Sequence, residues 1–441
     1  MNKKLWIDTA LKMGFESFEI YQDVSEKKDY SWYKGSMDSF TTSHVMSTAL
    51  RGIYHDRLAN YATEDTGDEQ MEKVLRKMIE QAESVTSEDE VFIREPEKGE
   101  EILDIHQFII PEADKVKEVL EDVEKKILAY DPRMLMVNEV EWEEIVSKRI
   151  IANSTGMSVE DTSRIHVIVA EAAAKEGEEV KTAFDIKVVE DLDKFDTDAF
   201  VKKVCDSGLN KLGASSMKSG NYPVIFDKDA MSDLFSAFSY LYSGDLIGKG
   251  ISPLRDKIGQ QIFSEKITVI DDPACQESYQ RANYDDEGCP TYKKNVVKDG
   301  VFELALQDSK SAARMGTKST GNGFKGSYAS AVGVSPMNCY IVPGEKNLDE
   351  LMAMMGEGLV ITDLAGLHAG IDAVTANFSL QCSGYLVKGG KRDRSVSLIT
   401  VAANFLELMK KVEAVGSDIE WSVSADASPS IYFTEVAIAG E

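Results

Sequence analysis

Residues 16–64 read ESFEIYQDVSEKKDYSWYKGSMDSFTTSHVMSTALRGIYHDRLANYATE. Apolar positions alternate with polar ones through this stretch: Phe18 and Ile20, then Tyr30 and Trp32, then Val45, then Leu50, Ile53 and Tyr54. A period of two marks strands with one buried and one wet face. Lys34-Gly35-Ser36 punctuates the run as a turn. The stretch therefore predicts antiparallel strands. Upstream, Met1–Phe15 predicts an amphipathic first helix with Leu5, Ala10, Leu11 and Met13. Downstream, Asp68–Ser84 sets Met71, Val74, Leu75, Met78, Ile79 and Ala82 at helical spacing. Strands come in runs rather than in alternation with helices, which gives an α+β fold and not a doubly wound α/β fold.

The same reading extends along the chain. Glu88–Glu101 is acidic, holds Pro96 and Gly99, and reads as a linker. Glu112–Tyr130 predicts a helix ended by Pro132. Strands are expected at Leu135–Trp142, Ile145–Asn153, Ser158–Ala172 and Val180–Val189, with Ser154-Thr155-Gly156 as a turn. Asp198–Leu212 reads as a helix. The small polar segment Ala214–Asn221 marks a boundary. Beyond it, helices are expected at Lys228–Tyr242, Ser309–Met315, Asn347–Met355 and Ala402–Val415. Short strands are expected at Tyr222–Phe226, Ile267–Ile270, Val301–Leu306, Val374–Leu380, Gly384–Val387, Ser395–Thr400 and Ser430–Val436. The expected organisation is a first α/β piece (1–100), a middle helix-plus-strands piece (101–220) and a β-rich C-terminal domain (221–441), with antiparallel or mixed sheets in the N-terminal region.

Composition narrows the function. The chain has 441 residues, 49 Lys plus Arg against 76 Asp plus Glu, and a net charge of −27. Residues 1–220 alone carry 29 basic and 47 acidic groups. Neither half offers the basic footprint that a phosphate backbone demands, so direct nucleic-acid binding is not expected. No run of 18 apolar residues exists, and Asp8 and Lys12 break the start as a signal peptide. Five cysteines, Cys205, Cys275, Cys289, Cys339 and Cys382, form no CxxC and no even framework, which fits reduced thiols in a cytoplasm. Cys289, in a Gly-Cys-Pro turn, is the one to test for reactivity.

The residues support little catalytic chemistry. His44, His55, His106, His166 and His368 have no His or Cys neighbour at ligand spacing, and no HExxH occurs. No G-x-S-x-G is present. His368, in a Gly-rich setting, reads as a loop histidine. Asp271-Asp272-Pro273 and Asp285-Asp286-Glu287-Gly288 could hold a hard cation or simply be solvated turns. Thr320-Gly321-Asn322-Gly323-Phe324-Lys325-Gly326 offers bare backbone amides for an anion or a peptide backbone. A tight turn needing positive φ explains it equally well.

A family resemblance gathers these segments. Ser252–Gly259, Ile267–Pro273, Asp285–Thr291, Ser319–Asn322, Leu359–Gly366, Gly384–Lys391, Val401–Leu408 and Val436–Gly440 together resemble the TldD/PmbA family. Leu50–Tyr54 and Ala59–Thr63 resemble its early strands. The order and spacing of these segments, over nearly the whole chain, carry the resemblance. Ala402-Ala403-Asn404 departs from it, since the family usually has Gly before Asn.

The resemblance implies metal-dependent proteolysis by two related subunits, TldD and TldE (also called PmbA), which act on peptide precursors and unfolded proteins. The TldD type carries His-Glu-x-x-x-His on the helix after the first strand of the last domain, and a cysteine near its C-terminus. Alignment on Ser243-Gly244-Asp245 puts Phe235, Ser236 and Tyr240 at the His, Glu and His positions. No histidine lies between His166 and His368, and no cysteine follows Cys382. The resemblance thus implies a TldE/PmbA-type subunit with no catalytic residue, metal or cofactor of its own, and zinc in a TldD-type partner. A homodimer is expected when the chain is alone. Candidate substrate-binding residues are Asp285, Asp286, Glu287, Gly288, Thr320, Gly321, Asn322 and Gly323. Two other classes stay open: an interaction protein of the gyrase-modulator type, and a stand-alone hydrolase built on Asp285, Asp286 and Glu287.

Overall fold

A computed structural model describes residues 1–84, 86, 91–102 and 105–441. The expected linker Glu88–Glu101 falls partly outside the described residues. The N-terminal half is one antiparallel sheet of six long strands. These are β1 (Ser17–Tyr33), β2 (Ser36–Tyr54), β3 (Arg57–Thr63), β4 (Met134–Asn153), β5 (Ser158–Glu176) and β6 (Glu179–Val188), in the order β3-β2-β1-β4-β5-β6. Four helices serve it: α1 (Lys3–Lys12), α2 (Met71–Ser84), α3 (Ala113–Tyr130) and α4 (Thr197–Leu209).

The period of two in β1 explains how one sheet serves two cores. Its even residues share a face. At one end Phe18 and Ile20 pack with Trp6, Leu75 and Met78 of α1 and α2. At the other, Tyr30 and Trp32 pack with Val116, Leu120 and Val123 of α3 and with Phe200 and Val204 of α4. Glu19, Tyr21 and Asp23 alternate onto the opposite face. There Tyr21 meets Ala49, Ile151 and Met157, with Tyr328 of the C-terminal half packed against them.

The second half begins with β7 (Gly220–Phe226), α5 (Lys228–Ala237) and α6 (Gly244–Gly248). Short pieces follow: β8 (Val269–Asp271), β9 (Lys294–Lys298), β10 (Val301–Phe302), α7 (Ser309–Met315), β11 (Gly323–Lys325), β12 (Val332–Val334) and β13 (Cys339–Ile341). The chain ends with α8 (Leu348–Met355), β14 (Gly358–Ala365), β15 (Ile371–Asp372), β16 (Asn377–Lys388), β17 (Lys391–Asn404), α9 (Phe405–Lys410), β18 (Val412–Val415), β19 (Asp426–Ala427) and β20 (Ile431–Ala439). Strands β14-β7-β20-β17-β16 pair in that order, and β14 pairs again with β16. The sheet therefore closes on itself as a five-stranded barrel. A smaller sheet, β10-β9-β8-β13-β19, lies beside it. Phe226, Phe235, Phe238, Phe405 and Phe433 fill the core they share, with Phe238 stacked on Phe405 at 4.4 Å.

The α+β class stands, with a β-rich C-terminal half. Some element boundaries differ from expectation. Leu135–Trp142 and Ile145–Asn153 form the single strand β4, because Glu143 and Glu144 are not a turn. Lys27 and Lys28 of β1 hold them at 2.7 and 3.2 Å. The expected helix Ala402–Val415 is mostly not one. β17 runs through Asn404, whose side chain caps a helix of only six residues, and β18 follows. Pairing of Ala402 with both Ser379 and Ala437 outweighs the helical preference of alanine. The strand expected at Val301–Leu306 is two residues long, and that at Val374–Leu380 begins at Asn377. Asp372 accepts from the Val374 and Thr375 amides, which turns the chain first.

Barrel closure leaves no room at Gly384. A Cβ there would run into the Val360 carbonyl across the β14–β16 pair. Gly384→Ala must push the two strands apart at the closing seam. It is expected to cost about 1–3 kcal/mol, read as a lower urea midpoint with unchanged slope.

Candidate functional site

A large cleft, about 1160 Å³, lies between β6 and α4 of the N-terminal half and the mouth of the barrel. Its barrel wall starts with α5. Asp227 caps this helix by accepting from the Ala230 amide at 2.9 Å. Ala230, Met231, Leu234 and Phe235 turn to the core, which leaves Asp229, Ser232, Asp233 and Ser236 on the cleft. Ser236 donates to Asp426 Oδ2 at 2.7 Å, and Ser232 receives the Ser428 amide at 2.8 Å.

Beside α5 runs a partly open strand. β7 pairs with β14 only from Leu359 to Ile361, because the chain then turns from Phe226 into α5. β14 continues through Thr362–Ala365, paired with β16 alone. That stretch lines the cleft. A strand edge without a neighbour can accept an extended peptide whatever its sequence.

Charge is divided across the cleft. Asp227, Asp229, Asp233, Asp363 and Asp426, with Arg392, belong to the barrel wall, and Lys187, Lys202, Lys203 and Lys211, with Asp185 and Asp206, to the other, so the barrel wall is net acidic and the facing wall net basic. Glu420 ties the walls together: Lys228 of the barrel side donates to it, and Lys187 approaches within 3.3 Å and Lys203 within 3.6 Å. Burial pushes Glu420 up, but the Lys228 hydrogen bond and the lysine charges outweigh it and hold it down at about 2. Lys211 bridges to Asp363 at 2.7 Å.

Burial raises Asp426 to about 6 and Asp227 to about 8. For Asp227 the consequence has a sign. Its folded-state pKa lies above the ordinary value of 3.8, so the native state keeps a proton that the unfolded chain loses. That contribution is full below about pH 4 and is lost as pH rises through about 8. Asp227→Asn keeps a capping side chain without the ionisation. The wild type is expected to lose more of its urea midpoint between about pH 5 and 8 than the variant does.

The residues singled out from the sequence sit elsewhere. Asp285, Asp286 and Glu287 form a buried knot where the odd face of the N-terminal sheet meets the C-terminal half. Asp285 accepts from the amides of Glu287, Cys289 and Gly323, each at 2.9 Å. Burial and the neighbouring Glu287 push Asp285 up to about 7, against the pull of those amides. Asp286 accepts from Arg149 of β4 at 2.9 Å and from the Lys325 amide at 2.7 Å. Glu287 accepts from the Ser309 amide at 2.8 Å. Arg51, ion-paired with Glu19 at 2.6 Å, adds its charge beside Asp285 and Glu287.

The Gly-rich segment belongs to the same interior. Thr320 donates to Asn322 at 2.7 Å, and Asn322 bonds Asp271, which also takes Lys294 at 2.9 Å. Gly321, at φ 70°, lets the Pro290 carbonyl approach closely, so the close backbone contact comes from this chain itself. Gly288 takes φ 75° against Met157 of the N-terminal sheet, and Gly323 lies against the Asp285 and Glu287 carboxylates. Glu287 also lines a smaller cavity of about 430 Å³, shared with Arg51 and Lys325, and none of the eight residues lines the large cleft.

The positions that the resemblance aligns with a zinc motif do not fit a zinc ion. Phe235 is fully buried in the core and has no donor atom. Ser236 is engaged with Asp426, and the Tyr240 hydroxyl is buried without a partner. Among the described residues no three His, Cys, Asp or Glu side chains converge on one point as metal ligands. All five cysteines are buried, and burial raises Cys289 to about 11.

The cleft was hidden from the sequence in two ways. The sequence marks β14 as a motif and not as a strand, and Glu420 draws its lysines from positions 187, 203 and 228. The one available signal was Asp227, a helix-capping residue immediately after an apolar strand.

Comparisons with known proteins agree with this architecture. Residues 219–440 match the model of the PmbA/TldA metallopeptidase C-terminal domain, and residues 106–212 match that of the central domain. The Metalloprotease PmbA of Escherichia coli O157:H7 is 26% identical over 329 residues, covering 74% of this chain and 70% of the relative. A metalloprotease of Methanocaldococcus jannaschii is 24% identical over 95% of this chain and 93% of its own length. The crystal structure of TldE from Thermococcus kodakarensis has the same fold, with a TM-score of 0.87, 24% identity, and coverage of 99% of this chain and 100% of that one. A Thermotoga maritima structure, described as a candidate modulator of a DNA gyrase, also has a TM-score of 0.87, at 25% identity and 99% coverage of both chains. No helix among the described residues is long and apolar enough to cross a membrane. With its central and C-terminal domains both matched, the chain belongs to the PmbA/TldA metallopeptidase family.

Proposed function

We propose that this chain is the zinc-free, TldE/PmbA-type subunit of a cytoplasmic metallopeptidase whose TldD-type partner holds the metal. The observation that carries the reading is the pair of facts at α5. The helix lines a large cleft, yet the side chains at the aligned positions are Phe235, Ser236 and Tyr240. A catalytic zinc needs about three protein ligands and an open position for water. Phenylalanine offers nothing to a metal. The cleft retains what a peptide needs: an open strand edge at Thr362–Ala365 and walls of opposite charge. In this reading the subunit seats peptide or unfolded-protein substrate and completes the cavity of its partner. The partner supplies zinc and hydrolysis. The chain binds neither nucleic acid nor membrane, and pairs with itself when its partner is missing, since related subunits share interface geometry.

Analytical ultracentrifugation tests the pairing. Mixed with a TldD-type protein from the same source, the chain is expected to sediment as a heteromer. Two separate species at micromolar concentration would contradict the subunit role.

A further inference from the structure

We infer that the smaller cavity is a binding site for the carboxylate of a free amino acid or of a short peptide's C-terminus, taken up by Arg51 and Lys325. The inference does not rest on the reading of the large cleft, since the two cavities share no lining residue.

The floor of the cavity follows from strand register. Arg51 of β2 stands opposite Asn60 of β3, and Ala49 stands opposite Ala62. Arg51 also pairs with Glu19 of β1, and Ala49 with Tyr21. All of these therefore share the face that β1 turns toward the C-terminal half. Small side chains at Ala49 and Ala62 leave a hollow of about 430 Å³ beside the guanidinium. The C-terminal half contributes Glu287, Asp308, Lys325 and the small residues Ala329, Ser330 and Ala331. Leu58, Phe92 and Val332 add apolar surface.

Two cations meet here with incomplete partners. Arg51 is 8% exposed. Its Nε donates to Glu19 Oε1 at 2.8 Å, and Nη2 lies 2.6 Å from the same oxygen. That leaves Nη2 and Glu19 Oε2 without a well-aligned partner. A guanidinium carries five N–H donors in a fork that matches a carboxylate, so one oxygen engages only part of it. Lys325 Nζ donates to the Tyr328 carbonyl at 3.2 Å and lies 4.6 Å from the centre of the Tyr21 ring. No carboxylate bonds it among the described residues. Burial and the Arg51 charge, against the pull of Asp286 and Glu19, bring Lys325 down to about 8. An anion seated against both cations would relieve their repulsion and engage the unused donors.

The other charges set the class of anion. Arg51, Arg57, Lys310 and Lys325 line the cavity against Asp56, Glu287 and Asp308, a net excess of one positive charge (4 − 3). Glu287 and Asp308 are both buried, so a phosphate with two charges meets repulsion that one carboxylate largely escapes. An α-ammonium group on the same ligand is attracted by those two carboxylates. The volume falls within the range of about 300–1,000 Å³ typical of small-molecule sites.

The test is isothermal titration calorimetry of the chain alone at pH 8, in two buffers of different ionisation heat. The probes are leucine, alanyl-leucine, alanyl-leucine amide and inorganic phosphate. Leucine or alanyl-leucine is expected to bind at least about tenfold tighter than the amide, the scale of one charge-assisted hydrogen bond. Tighter binding of leucine assigns the site to free amino acids, and tighter binding of alanyl-leucine to peptide ends. Binding is expected to take up as much as about half a proton, because Lys325 is half charged near pH 8 and the carboxylate raises it. Lys325→Met is expected to weaken binding about tenfold. Lys325→Arg is expected to bind like the wild type without proton uptake, since arginine does not titrate there. That variant separates loss of the titrating group from loss of folding. Equal binding of acid and amide, phosphate tighter than either acid, wild-type binding without proton uptake, unchanged binding by Lys325→Met, or no binding of any probe would each overturn the site.

Discussion

Replacing Arg149 by methionine is expected to cost about 3–5 kcal/mol of folding stability. The side chain reaches from β4 across the junction of the two halves. It bonds Asp286 at 2.9 Å, Asp161 at 3.2 Å and the Tyr284 carbonyl at 2.7 Å. Asp286 is 3% exposed. Without the guanidinium, that carboxylate stays buried without its ion-pair partner, held by the Lys325 amide and the Tyr21 hydroxyl, with the Lys325 charge nearby. Asp23 and Tyr21 lie in the same electrostatic neighbourhood, so they would gain no relief either. The double variant Arg149→Met with Asp286→Asn should recover part of the loss, because it removes the orphaned charge. Urea unfolding followed by tryptophan fluorescence checks both. A single-variant loss under about 1 kcal/mol would mean that the knot is wet and does not join the halves.

The second large effect concerns the cleft. Ser236→Arg places a long cation on the exposed side of α5, within the pocket and next to Asp426 and Asp233. Ser236 is only half-buried, so the arginine has room to extend and the core beneath it is untouched. If the cleft seats substrate, cleavage of an unstructured protein by the mixture with a TldD-type partner should fall by more than tenfold. Complex formation should persist. Asp285→Asn provides the contrast. It sits in the knot and should cost stability, because its amide would oppose the Gly323 N–H that the carboxylate now accepts. Its activity, measured below its own melting temperature, should change little. A Ser236→Arg mixture as active as wild type would remove the cleft from the substrate path.

How much of this was legible in the sequence follows from where the information lies. The alternation of Phe18, Ile20, Tyr30 and Trp32 records one sheet face and is local, so the strands and their turn were readable. The two cores under that face also follow, because α1, α2 and α3 are amphipathic at their own spacing. The segment Ala402–Val415 misled because alanine and leucine favour helix, while its strand pairing is with Ser379 and Ala437. The acidic run Asp285–Glu287 was conspicuous, but its partners are not adjacent. Arg149 lies 137 residues from Asp286, and Arg51 lies still farther along the chain. A run of carboxylates in sequence does not say whether arginines from another sheet will bury it. The cleft was less legible still. It depends on where β7 stops pairing with β14, which is a property of the closed barrel. What the sequence did carry was the absence of histidine from 167 to 367, and that absence does not depend on any alignment register.

The central claim is the division of labour between a seat for peptide and a metal held elsewhere. The most direct test measures zinc content and casein hydrolysis for this chain alone and mixed with a TldD-type partner. Alone, the chain is expected to carry well under one zinc per molecule and to leave casein intact, while the mixture cleaves and loses activity to a chelator. Stoichiometric zinc, or cleavage by the chain alone, would contradict the account.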